Sequence, residues 1–265
     1  MRPFALGNKN HVADAQAIWT AMQQPGMRTV AIKTESQQAV LAMHRMRSQL
    51  VKFRTAQVNA LPVLLNEYGE AMPRGRSSAM KAIPEVLSRL VDRLPTVLIE
   101  TLREQYQRIR DLDDQVQIIE RRLKQWFDLE PECLRIAAIP GIGILGATAV
   151  VATMSDPSTF RSGREFSAWL GLVPRQVGTG GKVKLLGISK RGDPYLRTLL
   201  IQGAHAVMSR NKTSSSWIAQ LCQRRPSNVV AVAMANKMAR TLWALMAHQQ
   251  TYQKDRMKLP PTLTA

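Results

Sequence analysis

Six cations, Arg175, Lys182, Lys184, Lys190, Arg191 and Arg197, fall within the thirty residues from Gly171 to Leu200 beside a single acid, Asp193. Glycines 178, 180, 181, 187 and 192 are threaded between them. The combination suits close approach to phosphate: glycine lets the backbone come near a polyanion with its N–H groups forward, and lysine and arginine neutralise the charge. Two hydroxyls, Thr179 and Ser189, sit inside this setting. A solvated hairpin loop has the same composition, and the neighbouring segments must decide between the two readings.

Helices should hold the segment from both sides. Downstream, Asp193 as N-cap and Pro194 at the first helical position start a helix over Tyr195 to Met208, with Arg197 on its first turn facing back toward the loop. Within the segment there is room for a two-stranded ribbon around Gly180 and Gly181. Upstream, Asp156 to Phe160 reads as a turn, and Gly163 to Leu170 as a short helix carrying Phe166 and Trp169 inward. Before that, Pro131 opens a unit in which LRIAAIPGIGILGATAVVATM reads as a helix, a Gly-Ile-Gly turn and a second helix starting near Ile144. This is the layout of a helix-hairpin-helix: Gly141 and Gly143 allow the tight turn, and free N–H groups at the second helix start can hold a phosphate. A plain helical turn in a bundle has the same layout. The last long helix, Val229 to about Gln249, is capped by Ser227, with Val232, Leu242, Trp243 and Met246 as core and Asn236, Lys237 and Arg240 on a polar stripe.

The middle of the chain is read as long helices. Thr34 caps a helix from Glu35 to about Leu61, with Ala39, Met43, Met46, Leu50, Phe53 and Ala60 as its core stripe. Arg45, Arg47, Lys52 and Arg54 lie off that stripe, as a solvated face or a nucleic-acid contact. Pro62 should end or kink this helix, and Met72 to Ser78 is a turn or linker. From Thr96, Leu98, Leu102, Gln105, Ile109, Leu112, Val116, Ile119, Leu123 and Trp126 form an a/d seam. An interchain coiled coil and an antiparallel hairpin with the 35–61 helix both satisfy the seam, and self-association is the reading preferred from sequence. Near the start, Asn10 caps a helix to Trp19 on which His11 and Asp14 share a face. Arg28 to Lys33 is the one convincing strand.

The 37 Lys and Arg against 19 Asp and Glu leave 265 residues with a formal net charge of +18, which calls for a polyanionic partner, nucleic acid before membrane. Cys133 and Cys222 are far apart and lack metal-ligand spacing, which fits a reducing cytoplasm and excludes a zinc finger. The opening MRPFALGNKN has no apolar run after its arginine, so no secretory signal is expected. Aromatic residues are scarce at 5%, so binding should rest on the sugar-phosphate backbone rather than on base stacking.

Three pieces in order, NKNHVADAQAI, IPGIGILGATAVVATMSDPSTFRSGREFSAWLGLVPRQ and GGKVKLLGISKRGDPYLRTLLIQGAHAV, resemble the bacterial insertion-sequence transposases of the IS-one-ten family. The IS-eleven-eleven branch, relatives of the Piv-type DNA invertases, is the nearest in pattern, and the resemblance runs from about Pro3 to Tyr252. It implies a mainly α chain: 1–33 as the remnant of an RNase H-like (RuvC-like) domain, 34–130 as a long-helix and coiled-coil region, 131–252 as a C-terminal transposase domain with helix-hairpin-helix and basic loop, and 253–265 as a disordered tail. It implies DNA transposition by phosphodiester transesterification, with DNA as partner, a guide (bridge) RNA in some members, and Mg²⁺ held by an acidic cluster. Asp14 matches the cluster's fourth acid and His11 occupies its third position. The remaining acids should lie upstream, which suggests an N-terminally truncated chain and leaves Mg²⁺ doubtful here. Thr179 stands where the family usually carries a serine nucleophile, and Gly141, Gly143, Arg175, Lys182, Lys184, Lys190, Arg191 and Arg197 are the nucleic-acid contacts. Because a β-branched threonine crowds an in-line approach, strand cleavage is expected to be impaired, and a non-catalytic nucleic-acid-binding module is the rival reading. Either would act in a bacterial cytoplasm, at the nucleoid.

Overall fold

The computed structural model describes residues 10–25, 31–180, 182–210 and 216–253, with Thr179 and Ser216 described through their backbone. The chain divides into two units, 1–32 and 33–265. The first contains helix α1 (His11–Met22), begun as expected by Asn10, whose Oδ1 accepts the Ala13 N–H at 2.6 Å. The expected strand at 28–33 falls partly outside the described residues, and Ala31 to Lys33 are not strand.

The second unit opens with three helices, α2 (Glu35–Glu67), α3 (Arg76–Leu90) and α4 (Thr96–Leu129). Thr34 caps α2 in a reciprocal capping box with Gln37. Pro62 does not end α2. The helix runs on to Glu67 because Leu61 and Leu65 are buried against α3 and α4, which offsets the lost backbone hydrogen bond, a cost of about 3 kcal/mol. Helix α3, unforeseen, fills the ground beyond the linker with Ala79, Ile83, Val86, Leu87 and Leu90 buried at helical spacing.

The α4 seam forms as expected: Leu102, Ile109, Val116, Ile119 and Leu123 are buried and the other positions half-buried. Its occupant is α2 of the same chain. Trp126 Nε1 donates to Ser36 Oγ at 3.0 Å, Arg47 pairs with Glu120 at 2.6 Å and Arg54 with Asp113 at 2.9 Å, so the helices run antiparallel. This corrects the preference for an interchain seam. It also corrects the core stripe of α2. Met46 and Phe53 are half exposed and Ala39 and Ala60 lie outward. The packed face is instead Val40, His44, Arg47, Val51, Arg54, Val58, Leu61 and Leu65, an a/d repeat whose three polar members each bond to a side chain of another helix, Arg54 through Nη1 with its buried Nε left unpaired among the described residues.

The remaining elements are α5 (Pro131–Ala137), α6 (Ile144–Met154), a 3-10 turn (Pro157–Thr159), α7 (Gly163–Trp169), strands β1 (Pro174–Thr179) and β2 (Lys182–Ile188), α8 (Pro194–Arg210), α9 (Ser216–Arg224) and α10 (Ser227–Ala247). Pro226, rather than Ser227, is the N-cap residue of α10. Ile136, Ala149, Val150, Phe166, Leu170, Leu196, Leu200, Ala235 and Leu242 are buried in one core that joins α5 to α10. No helix among the described residues is long and apolar enough to cross a membrane.

Gly141, at φ +89°, lies against Gly203 of α8, and a Cβ on it would meet the Gly203 carbonyl oxygen at 2.7 Å. Gly141→Ala is expected to lower stability by about 2–4 kcal/mol through overpacking and left-handed strain. Gly187→Ala, with open space at its Cβ, should change stability by less than about 0.5 kcal/mol. Urea unfolding midpoints that fall equally for the two variants would contradict this packing.

Candidate nucleic-acid interface

The cationic segment folds as an antiparallel hairpin standing out from the helical body. Residues Gln176, Val177, Gly178 and Thr179 of β1 face Leu185, Lys184, Val183 and Lys182 of β2, with an irregularity between Pro174 and Gln176. Opposed residues share a face in such a ladder. Lys182, Lys184 and Val177 therefore occupy one side, and Val183, Leu185 and Gln176 the other. Both sides are open: Val183 is 67% and Leu185 60% exposed. Arg175, Lys182 and Lys184 are exposed on the hairpin, and none makes an ion pair with a described residue. Thr179 ends β1, directly before the turn at Gly180, whose φ is +56°.

The foot of the hairpin is fastened to α7 and α8. Ser189 N donates to Val173 O at 2.8 Å and Lys190 N to Gly171 O at 3.2 Å. Gly192, at φ +80°, is pressed so close to the Trp169 carbonyl that no side chain fits. Arg197 Nη1 donates to Leu170 O at 2.9 Å and Arg191 O at 3.2 Å, so this cation clamps the loop. Lys190 and Arg191 point into solvent beside it, also without ion pairs among the described residues. Asp193 caps α8 as expected, its Oδ1 accepting from Tyr195 N at 2.7 Å and Leu196 N at 3.1 Å. Trp169, expected inward, is 38% exposed; Phe166 fills the core below it and stacks on it at 6.1 Å.

Of the two glycines in the α5–α6 turn, Gly141 is used for packing on α8, while Gly143 is exposed and immediately precedes the first turn of α6, which has no side-chain cap. Those first-turn amides are the donors a phosphate could use. The turn packs on Gly203, six residues beyond Arg197 and thus about 9 Å along α8 from the clamp. Asp14 lies on the first turn of α1 in the other unit, with His11 one turn before it. Among the described residues no group of three or more His, Cys, Asp or Glu could hold a metal ion. Asp14 is a single carboxylate and does not by itself make a divalent-ion site among the described residues.

Residues 133–218 match a family model described as Transposase IS116/IS110/IS902 family. A probable family 20 transposase of Pseudomonas aeruginosa is 46% identical over 258 residues, covering 96% of this chain and 76% of that protein. The transposase for insertion sequence element IS1111A of Coxiella burnetii is 41% identical, with 96% and 71% covered. The transposase for IS1328 of Yersinia enterocolitica is 39% identical, with 96% and 76% covered. The chain belongs to the IS116/IS110/IS902 transposase family. The stretch matched by the family model contains the α5–α6 turn, the whole hairpin and the helix that anchors it.

One part of this arrangement was invisible in the motifs. His44 of α2 is 2% exposed and lies between α6 and α8: its Nε2 is 3.0 Å from Thr148 Oγ1 and its Nδ1 2.9 Å from Tyr195 Oη. Thr148 Oγ1 donates to Ile144 O at 2.7 Å, so it accepts from His44 Nε2–H, and the Tyr195 hydroxyl donates to Nδ1. The ring is the neutral tautomer, and burial, with Arg47 nearby, pushes its pKa down to about 4. Burial likewise holds the Tyr195 hydroxyl above its ordinary pKa. The signal for this node was a polar residue at an a/d position of α2.

A histidine with a depressed folded pKa binds fewer protons folded than unfolded, so its contribution is complete above about pH 6.5 and is lost as pH falls toward 4. The loss over that window should reach about 3 kcal/mol at 1.36 kcal/mol per pH unit. Unfolding free energies of the parent chain and His44→Gln, measured from pH 7.5 to 4, should converge as the pH drops by about this amount; a constant difference would contradict a ring held neutral by burial.

Proposed function

We propose that the chain grips DNA by its phosphate backbone through the β1–β2 hairpin and the loop at its foot, as the DNA-binding part of an insertion-sequence transposase. The observation that carries this reading is the set of five cations, Arg175, Lys182, Lys184, Lys190 and Arg191, exposed together on one small hairpin without an ion pair among the described residues. Uncompensated cations on so short a segment repel one another, and a polyanion relieves that cost while releasing its counterions. The first turn of α6, just behind exposed Gly143, offers a second phosphate contact, which reads α5, the turn and α6 as a helix-hairpin-helix. A guide RNA would meet the same cationic surface.

In this reading the reaction is transesterification at residue 179. The hydroxyl oxygen forms a bond to phosphorus, the bond from phosphorus to the departing strand breaks, and that strand's oxygen takes up the proton. Lys182, Lys190 and Arg191 stabilise the negative charge that develops. Thr179 supplies a hydroxyl with a restricted χ1, so the step is slow compared with serine. Helix α1, read as the remnant of an RNase H-like domain, offers Asp14 as one carboxylate, and no step is routed through a metal. The second reading, a binding module that does not cut, is favoured by the same threonine.

With five phosphates neutralised, the logarithm of the DNA association constant should fall against the logarithm of salt with a slope of about −4.5, and Lys182→Ala with Lys184→Ala should make it shallower by about 2. A flat salt response would remove both readings. Denaturing gels after incubation with supercoiled DNA carrying element ends separate them: a covalent adduct that increases in Thr179→Ser and vanishes in Thr179→Ala supports transesterification, whereas tight binding with no adduct from either the parent chain or Thr179→Ser leaves the binding module.

A further inference from the structure

A cavity of about 720 Å³ opens beside the hairpin foot, between α2, the end of α6, the end of α7 and the start of α8. This is the size range of sites that enclose a small organic ligand, about 300–1,000 Å³. Its charge is lopsided. Lys33, Arg45 and Lys52 contribute three cations to its wall, none in an ion pair among the described residues. The one carboxylate in the wall, Asp193, is already accepting two amide hydrogens at the head of α8. Trp169 lines the same space, its ring braced by Phe160 at 5.6 Å and Phe166 at 6.1 Å and still 38% exposed. Ser48, Gln49 and Thr153 add hydrogen-bonding groups.

An aromatic plate, three cations and neutral hydrogen-bonding side chains around one half-open cavity match a nucleotide: a flat base, a phosphate and polar base edges. A double helix cannot enter a space of this size, but one nucleotide swung out of its stack can. The mouth adjoins the loop, because Gly192 sits on the Trp169 carbonyl and Asp193 follows directly after Lys190, Arg191 and Gly192. We propose that this cavity receives one unpaired nucleotide extruded from the DNA strand held at the hairpin, its base against Trp169 and its phosphate among Lys33, Arg45 and Lys52. The proposal rests on DNA binding by the hairpin and adds a way to distinguish distorted DNA from regular duplex. Specificity of this kind needs few aromatics, only one well-braced ring.

The test uses the whole chain at one fixed salt concentration with three equal-length probes: a fully paired DNA duplex, the same duplex carrying a single bulged 2-aminopurine, and an RNA duplex with the same bulge. Bulged DNA should bind about tenfold tighter than paired DNA, within the range expected for one stacked base, and 2-aminopurine fluorescence should fall on binding as the base stacks. In Trp169→Ala the ratio of bulged to paired affinity should drop to about twofold or less. Because that ring touches the core, Arg45→Gln with Lys52→Gln serves as a second variant at exposed positions, and it too should reduce the ratio. If paired DNA binds but the bulge brings no preference, or the preference survives both variants, the nucleotide site is wrong while hairpin binding stands. If the RNA bulge is preferred and the DNA bulge is not, the DNA occupant is wrong. If no probe binds, the reading of the hairpin fails and this proposal falls with it.

Discussion

Three helices meet at His44, and the cationic loop hangs from one of them. Its ring joins α2 to Thr148 of α6 and to Tyr195 on the first turn of α8, two residues beyond the Asp193 cap that ends the loop. Breaking one partner of a buried polar contact costs the full desolvation of the group left behind, so the node fixes the helix that starts where the loop stops. Arg47, one turn along, ties the same face of α2 to Glu120 of α4. The long helical pair and the C-terminal helices thus share one polar seam, and the hairpin inherits its position from it.

The hairpin itself has little to stabilise it. Two strands alone are marginal in water, both faces of this pair are open, and its cations have no acids among the described residues to offset them. What order it has comes from its foot: the Arg197 clamp on two carbonyls, the Gly192 contact with Trp169 and the backbone bonds from 189 and 190. A rigid foot with a weakly held, charged tip suits an element that completes its structure against a polyanion. The six cations divide: Arg197 holds the loop through two carbonyls, and the other five make no ion pair among the described residues.

Much of this was legible in the residue pattern, for physical reasons that differ from element to element. The caps at Asn10, Thr34 and Asp193 were read correctly because each is a local side-chain-to-amide bond with a fixed offset. The α4 seam was plain because its members are mostly apolar. The facing seam on α2 was not, since His44, Arg47 and Arg54 occupy positions where a hydrophobic count sees gaps, and each is admitted only by a partner far away in sequence. Pro62 suggests a helix end, and tertiary burial of Leu61 and Leu65 overrides it. The sequence expectation for Gly141 is a phosphate contact; its close approach to Gly203 on α8 is a further constraint that no local pattern signals. The cavity beside Trp169 draws on four helices and could not appear in any one stretch.

The most direct test of the central claim is hydrogen–deuterium exchange of the whole chain with and without duplex DNA. Amides of 174–188 and 189–193 should slow markedly on binding, while α3, remote in function and uninvolved in the grip, stays unchanged. Exchange that slows along α3 or α4 with the hairpin untouched would contradict the account.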